Sequence, residues 1–156
     1  MTDDTTETLL HGTVVDIAGN GVLIRGSSGS GKSDLALRLV DRGATFVTDD
    51  QVLLATREKG VRAKAPLAIR GYLEIRGLGL ISTPVTGSSF IRLIVDLVPS
   101  NEVPRLPEFE QEVLLGKKIP RLKINAFEVS APLKIELAAK DPLRIGNLGR
   151  IGNTGH

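Results

Sequence analysis

The stretch Gly26-Ser27-Ser28-Gly29-Ser30-Gly31-Lys32-Ser33 constrains this chain more than any other, because it fits the phosphate-loop pattern GxxxxGK[ST]. Such a loop works only where a strand leads in and a helix leads out, since the helix N-terminus adds free N–H groups and positive potential where an anion would sit. Both flanks are present. Residues 22–25, VLIR, are apolar and β-prone, and behind the loop Leu35, Leu39 and Val40 recur at helical spacing through SDLALRLVDR, with Gly43 placed to stop the helix. A flexible Gly/Ser linker would supply the glycines and serines but gives no reason for a Lys-Ser pair in this register. The glycines let successive backbone N–H groups turn inward, Lys32 would neutralise β- and γ-phosphates, and Ser33 would offer its hydroxyl to Mg²⁺. Residues 26–33 are therefore expected to bind nucleotide phosphates, with ATP and Mg²⁺ as ligands.

A phosphate loop needs carboxylates opposite it, either to hold the cation or to accept a proton from the attacking group. Asp49 and Asp50 are the first candidates, because they end a β-rich run, residues 45–48, soon after the helix. Their strand is expected to lie beside the loop's own strand. On an extended chain adjacent residues point opposite ways, so one of the two would face the γ-phosphate, and sequence does not say which. Glu74 stands in YLEIRGLGLI, where an Arg-Gly-Leu-Gly turn could approach a ligand; by itself it reads equally as a solvent-facing strand position. His11, ahead of the first strand, and Arg105, in VPRLPEF, read from composition as ordinary surface residues.

The remainder of the chain reads as β-rich and punctuated by Gly and Pro. Residues 12–25 carry two short β-prone runs with a hairpin signal at Gly19, Asn20 and Gly21, and residues 51–56, 72–75, 80–85, 90–98 and 122–129 favour strands. Residues 109–116 are expected as a short helix, and residues 132–140 as a helix or, from the alternation in LKIEL, a strand. The domain is placed at residues 11–140, between a disordered tail, 1–10, and a flexible, glycine-rich one, 141–156. With 156 residues and 41% of them hydrophobic, one core is expected. A net charge of +2 and the absence of Trp argue against a dedicated nucleic-acid binder, and no apolar stretch is long enough to span a bilayer. The absence of cysteine excludes disulfides and thiolate metal sites and is compatible with a reducing, cytoplasmic setting.

Taken in order, HGTVVDIAGNGVLIRGSSGSGKSDLALRLVDRGATFVTDD and LEIRGLGLI resemble the catalytic domain of HPr kinase/phosphorylase over residues 11 to 125. The resemblance rests on three signatures together: His-Gly before the loop, the Asp pair after it, and the EIRGLG run. It implies an α/β fold of the P-loop kinase type related to phosphoenolpyruvate carboxykinase, a β-rich mixed sheet with few helices. It also implies an ATP- and Mg²⁺-dependent kinase that phosphorylates a serine of HPr, or a related phosphocarrier of the bacterial phosphotransferase system. By position, His11, Lys32, Asp49 and Asp50 fall on family active-site residues, Ser33 and Glu74 on magnesium ligands, and Arg105 on a catalytic arginine. Only about ten residues precede His11, so a short form is expected. The family's Pro-, Arg- and Gly-rich segment tied to dephosphorylation reads here IPRLKIN, keeping Pro120 and Arg121, which leaves the phosphorylase direction in doubt. A homo-oligomer is left open, and the hexamer usual in the family is not carried over. Two alternatives stand beside this reading: an ATP-binding sensor module without transfer, and a small-molecule kinase on the same scaffold, for which no lid or Arg-rich acceptor pocket is evident.

Overall fold

In the computed structural model, which describes residues 6–148, the β-prone runs form eleven strands. They are β1 (Thr8–His11), β2 (Thr13–Ile17), β3 (Asn20–Arg25), β4 (Thr45–Thr48), β5 (Gln51–Arg57), β6 (Gly60–Lys64), β7 (Tyr72–Ile75), β8 (Gly79–Ser82), β9 (Ser89–Leu97), β10 (Glu110–Leu114) and β11 (Lys117–Ile124). The helices are α1 (Lys32–Asp41) and α2 (Ala131–Lys140), with short 3-10 turns besides. This is the expected mixed, β-rich α/β sheet with few helices.

The strands pair in the order β1-β5-β6-β9-β3-β2-β4, and β9 organises them. Along one side it runs parallel to β3. Along the other, its first residues pair with β6 and its last with β11, again in parallel. Strands β3, β9 and β11 therefore all end at one edge, where ligands gather in open parallel sheets.

The residues of β3 alternate between two cores. Val22 and Ile24 pack with Leu35 and Leu39 of α1 and Ile135 of α2, whereas Leu23 packs with Val52, Leu54 and Val61 of the β1-β5-β6 layer. The result is three layers: helices, mixed sheet, antiparallel strands. A strand buried on both faces must be apolar throughout, as VLI is, and each such side chain contributes about 1.5–3 kcal/mol.

Several expectations are corrected. Residues 109–116 form no helix: EQEVL is strand β10, antiparallel to β11 through a two-residue turn in which Leu115 (φ 47) and Gly116 (φ 84) are both left-handed. Residues 132–140 resolve as a helix, because Ala131, Ile135, Ala138 and Ala139 fall on one buried face. The first hairpin turns one residue early, at Ala18 and Gly19, and Asp16 Oδ1 caps it by accepting the Gly19 N–H at 2.8 Å. The 122–129 strand ends at Ile124. Of the two expected tails, Thr8 to Leu10 lie in β1, paired with β5, and Ile145 is buried after a 3-10 turn, Pro142–Arg144. Residues 149–156 lie outside the described residues.

Candidate active site

The loop begins where β3 ends, and its backbone is left-handed at Gly29 (φ 82) and Gly31 (φ 98). Space is as restrictive as conformation. A Cβ on Gly26 would lie 2.4 Å from Ser30 Oγ, and one on Gly31 3.0 Å from the Ala126 Cβ. Gly31 caps α1, its carbonyl accepting the Leu35 N–H at 2.9 Å. Lys32 is buried, and its Nζ donates to the Gly26 (2.8 Å) and Ser27 (3.2 Å) carbonyls, so the cation already sits inside the loop. Ser27 and Ser28 are exposed, and the Ser30 N–H closes the turn onto the Ser27 carbonyl at 3.0 Å. The Ser30 hydroxyl is buried against Gly26 without a hydrogen-bond partner among the described residues.

The two aspartates separate. Asp49 is buried beside the loop: its Oδ1 accepts from Ser33 Oγ (2.8 Å) and Thr13 Oγ1 (3.0 Å), and its Oδ2 from the Glu74 N–H (3.2 Å). Asp50 faces outward and lies 3.1 Å from His11 Nε2, both side chains being 60% exposed. The division arises from the turn between β4 and β5. Asp50 adopts φ 71, donates its N–H to Thr13 Oγ1 at 3.3 Å and accepts the Gly12 N–H at 3.0 Å. An extended pair would also have diverged, but here a left-handed aspartate makes the divergence, a conformation this residue type tolerates better than most. The expected adjacency of strands does not hold: β2 lies between β4 and the loop's strand β3.

Glu74 sits on β7 with its side chain exposed and its backbone N–H donating to Asp49, so Asp49 joins the Ser33 hydroxyl to the Glu74 backbone. The Ser33 hydroxyl and the Asp49 carboxylate are oxygen ligands of the kind that suits a hard cation. Among the described residues no three acidic or histidine side chains converge, so phosphate and water oxygens would complete a Mg²⁺ shell, the usual arrangement for that ion. Arg105 is not brought in. It lies on the exposed loop after β9, along a groove with Leu122, Lys123 and Lys134, and no hydrogen bond or ion pair among the described residues ties it to Lys32, Ser33 or Asp49.

Sequence reasoning missed Thr13, which is fully buried and serves both aspartates. In a β-prone run a threonine reads as strand propensity; its place two residues after His11 was the available signal. It also missed the ion network beneath the loop. Arg25, the last residue before the loop, is bidentate to Asp96 and to Glu112, and Arg121 joins Asp96 as well. Burial alone would raise the Asp96 carboxyl, but hydrogen bonds from Arg25 and Arg121 outweigh it and hold the group below the ordinary range. The Arg25 hydrogen bond likewise lowers Glu112, and those from Glu112 and Asp96 raise Arg25. Arg121, singled out in IPRLKIN, thus clamps β9 to β11.

The model of the family described as HPr Serine kinase C-terminal domain matches residues 4–141. HPr kinase/phosphorylase of Mycoplasmopsis pulmonis is 32% identical over 143 residues, covering 89% of this chain and 45% of that protein. The Streptococcus thermophilus protein of the same name is 42% identical over 129 residues, covering 75% and 42%. The chain thus spans less than half the length of these curated relatives. Among solved structures, the HPr(Ser) kinase/phosphatase from Coxiella burnetii superposes with a TM-score of 0.77 at 28% identity, over 86% of this chain and 90% of that one.

Proposed function

Because the chain belongs to the HPr serine kinase C-terminal domain family, we propose that it is a Mg²⁺-dependent kinase, transferring the γ-phosphoryl group of ATP to a serine of HPr or a related phosphocarrier. The observation that carries this reading is the division of labour between Asp49 and Asp50 around Ser33 and His11.

Phosphoryl transfer passes through a loose transition state, so the enzyme mainly positions partners and stabilises charge. In this reading residues 26–33 wrap the phosphates and Lys32 offsets their charge. Bound Mg²⁺ supplies charge neutralisation and orientation of the phosphates. Ser33 and Glu74 would hold it, with Asp49 keeping the Ser33 hydroxyl in place by accepting its hydrogen bond. Asp49 is buried and already accepts three hydrogen bonds from the protein, so it is the less accessible of the two to an acceptor serine. Asp50 is exposed and engaged only by His11 through its side chain among the described residues, and it is the carboxylate that would receive the proton of the acceptor serine. His11 would orient the Asp50 carboxylate. Arg105 would act in transfer only after its loop moves toward the site. In the phosphorylase direction Asp50 would return the proton; of the segment that the resemblance ties to that direction, Arg121 is here committed to Asp96.

The test is transfer from γ-labelled ATP to purified phosphocarriers with Mg²⁺. Label on a carrier serine is expected, lost with Lys32→Ala. Asp50→Asn should retain ATP binding and lose about 10²–10⁴-fold in transfer, the usual contribution of a general base. Asp49→Asn should instead raise the Mg²⁺ concentration needed for half-maximal rate. ATP binding with no transfer to any carrier would refute the kinase reading and leave the sensor module.

A further inference from the structure

The acids and the phosphate loop define one flank of the site. Asp49 follows β4 and Phe127 follows β11, with β3 and its loop between them in the sheet. If the γ-phosphate end of a nucleotide lies toward Asp49 and Asp50, its nucleoside end lies toward the flank closed by β11. The segment there, residues 125–129, is fixed at its backbone. Asn125 Nδ2 donates to the Val98 carbonyl at 3.1 Å, and the Phe127 N–H donates to Asn125 Oδ1 at 2.9 Å. Arg38 of α1 donates to the carbonyls of Ala126 and Glu128, and Lys134 of α2 pairs with Glu128 at 2.8 Å. So anchored, the segment presents an aromatic ring to solvent. Phe127 is 69% exposed, the most exposed of the four phenylalanines, while Ala126 beside it is buried. The ring borders the loop itself: two of its carbons lie 3.4 Å from where a Gly31 Cβ would be.

We propose that Phe127 stacks on the purine base of the bound nucleotide, its backbone held in place by the hydrogen bonds of residues 125–129. The proposal rests on the phosphate-site reading of residues 26–33 and adds the groups that hold the other end of the ligand. A ring on an anchored backbone has only its two side-chain torsions to fix on stacking, and stacking uses a π-face that every base has, so ATP and GTP should be served alike.

Titration calorimetry of the whole chain with Mg²⁺, comparing ATP with inorganic tripolyphosphate, tests it. The wild type should bind ATP more tightly than tripolyphosphate. Phe127→Ala should weaken ATP and GTP by roughly 5- to 150-fold and leave tripolyphosphate unchanged, with Phe127→Tyr restoring the loss. The chain has no tryptophan, so Phe127→Trp adds a single reporter whose emission ATP should quench and tripolyphosphate should not. Equal weakening of ATP and tripolyphosphate in Phe127→Ala, or no weakening of either, would overturn the stacking role. A wild type that binds neither ligand, or a Lys32→Ala variant that binds both normally, would instead overturn the phosphate-site reading beneath it.

Discussion

Replacing Thr13 by valine tests how Asp49 and Asp50 are held, because valine keeps the shape and exchanges only the hydroxyl for a methyl group. The side chain is fully buried, donates to Asp49 Oδ1 at 3.0 Å and accepts the Asp50 N–H at 3.3 Å. A hydrogen bond to a charged acceptor contributes about 1.5–3 kcal/mol, and stranding a buried donor costs about 1–3 kcal/mol. Asp49 would keep Ser33 and the Glu74 N–H, and the longer Asp50 bond lies near solvent, so the lower ends apply: a loss of about 2.5 kcal/mol. That is a large share of the roughly 5–15 kcal/mol that holds a domain together. Urea unfolding followed by circular dichroism should show a lower midpoint at unchanged slope, with Thr13→Ser close to wild type. In an Asp49→Ala background the cost of Thr13→Val should shrink, since its partner is gone. A Thr13→Val protein within about 0.5 kcal/mol of wild type would refute the reasoning and leave Asp49 to be held by Ser33 and Glu74 alone.

Two further substitutions probe the loop and its base. Asp96→Asn should cost about 1–3 kcal/mol at neutral pH, because Arg25 retains Glu112 while Arg121 loses its shared carboxylate. The folded Asp96 carboxyl titrates below its ordinary value of 3.8, so its contribution is complete above that pH and is lost as pH falls through the folded value; acid unfolding curves of the two proteins should converge there. Gly31→Ala should cost more than Gly29→Ala in thermal unfolding. Both positions incur about 1–2 kcal/mol of left-handed strain, but only at Gly31 does the new Cβ meet Ala126 and Phe127.

Local chemistry was legible and long-range pairing was not. The loop, the helix after it and the strand leading into Asp49 could be placed from sequence because each is set by residues within a few positions: a Lys-Ser pair behind glycines, a helical spacing ended by Gly43. The position of β2 between the loop strand and the Asp strand depends on hydrogen bonds across the fold, which no local pattern encodes. Strand β10 was missed for a related reason. Its acidic residues are balanced by Arg25 and Arg121 from elsewhere in the chain, and in isolation they suit a helix; the Leu115-Gly116 turn was its one local signal. The Asp pair was found but not divided, since the division is made by Thr13, His11 and Gly12 on a different strand pair. Arg105 was named from resemblance alone, and its loop holds it apart from the acids.

Lys32 carries one more consequence. An ammonium has three N–H donors, and here two are already given to the Gly26 and Ser27 carbonyls. An incoming anion can take the third without breaking either, so the side chain does not have to be recruited from solution. Fixing a free lysine costs up to about 2 kcal/mol of rotamer entropy, and in this chain that cost falls on folding instead of on association. The lysine is therefore in place before a ligand arrives, and its contribution to affinity should depend on the phosphates it meets more than on any rearrangement of its own.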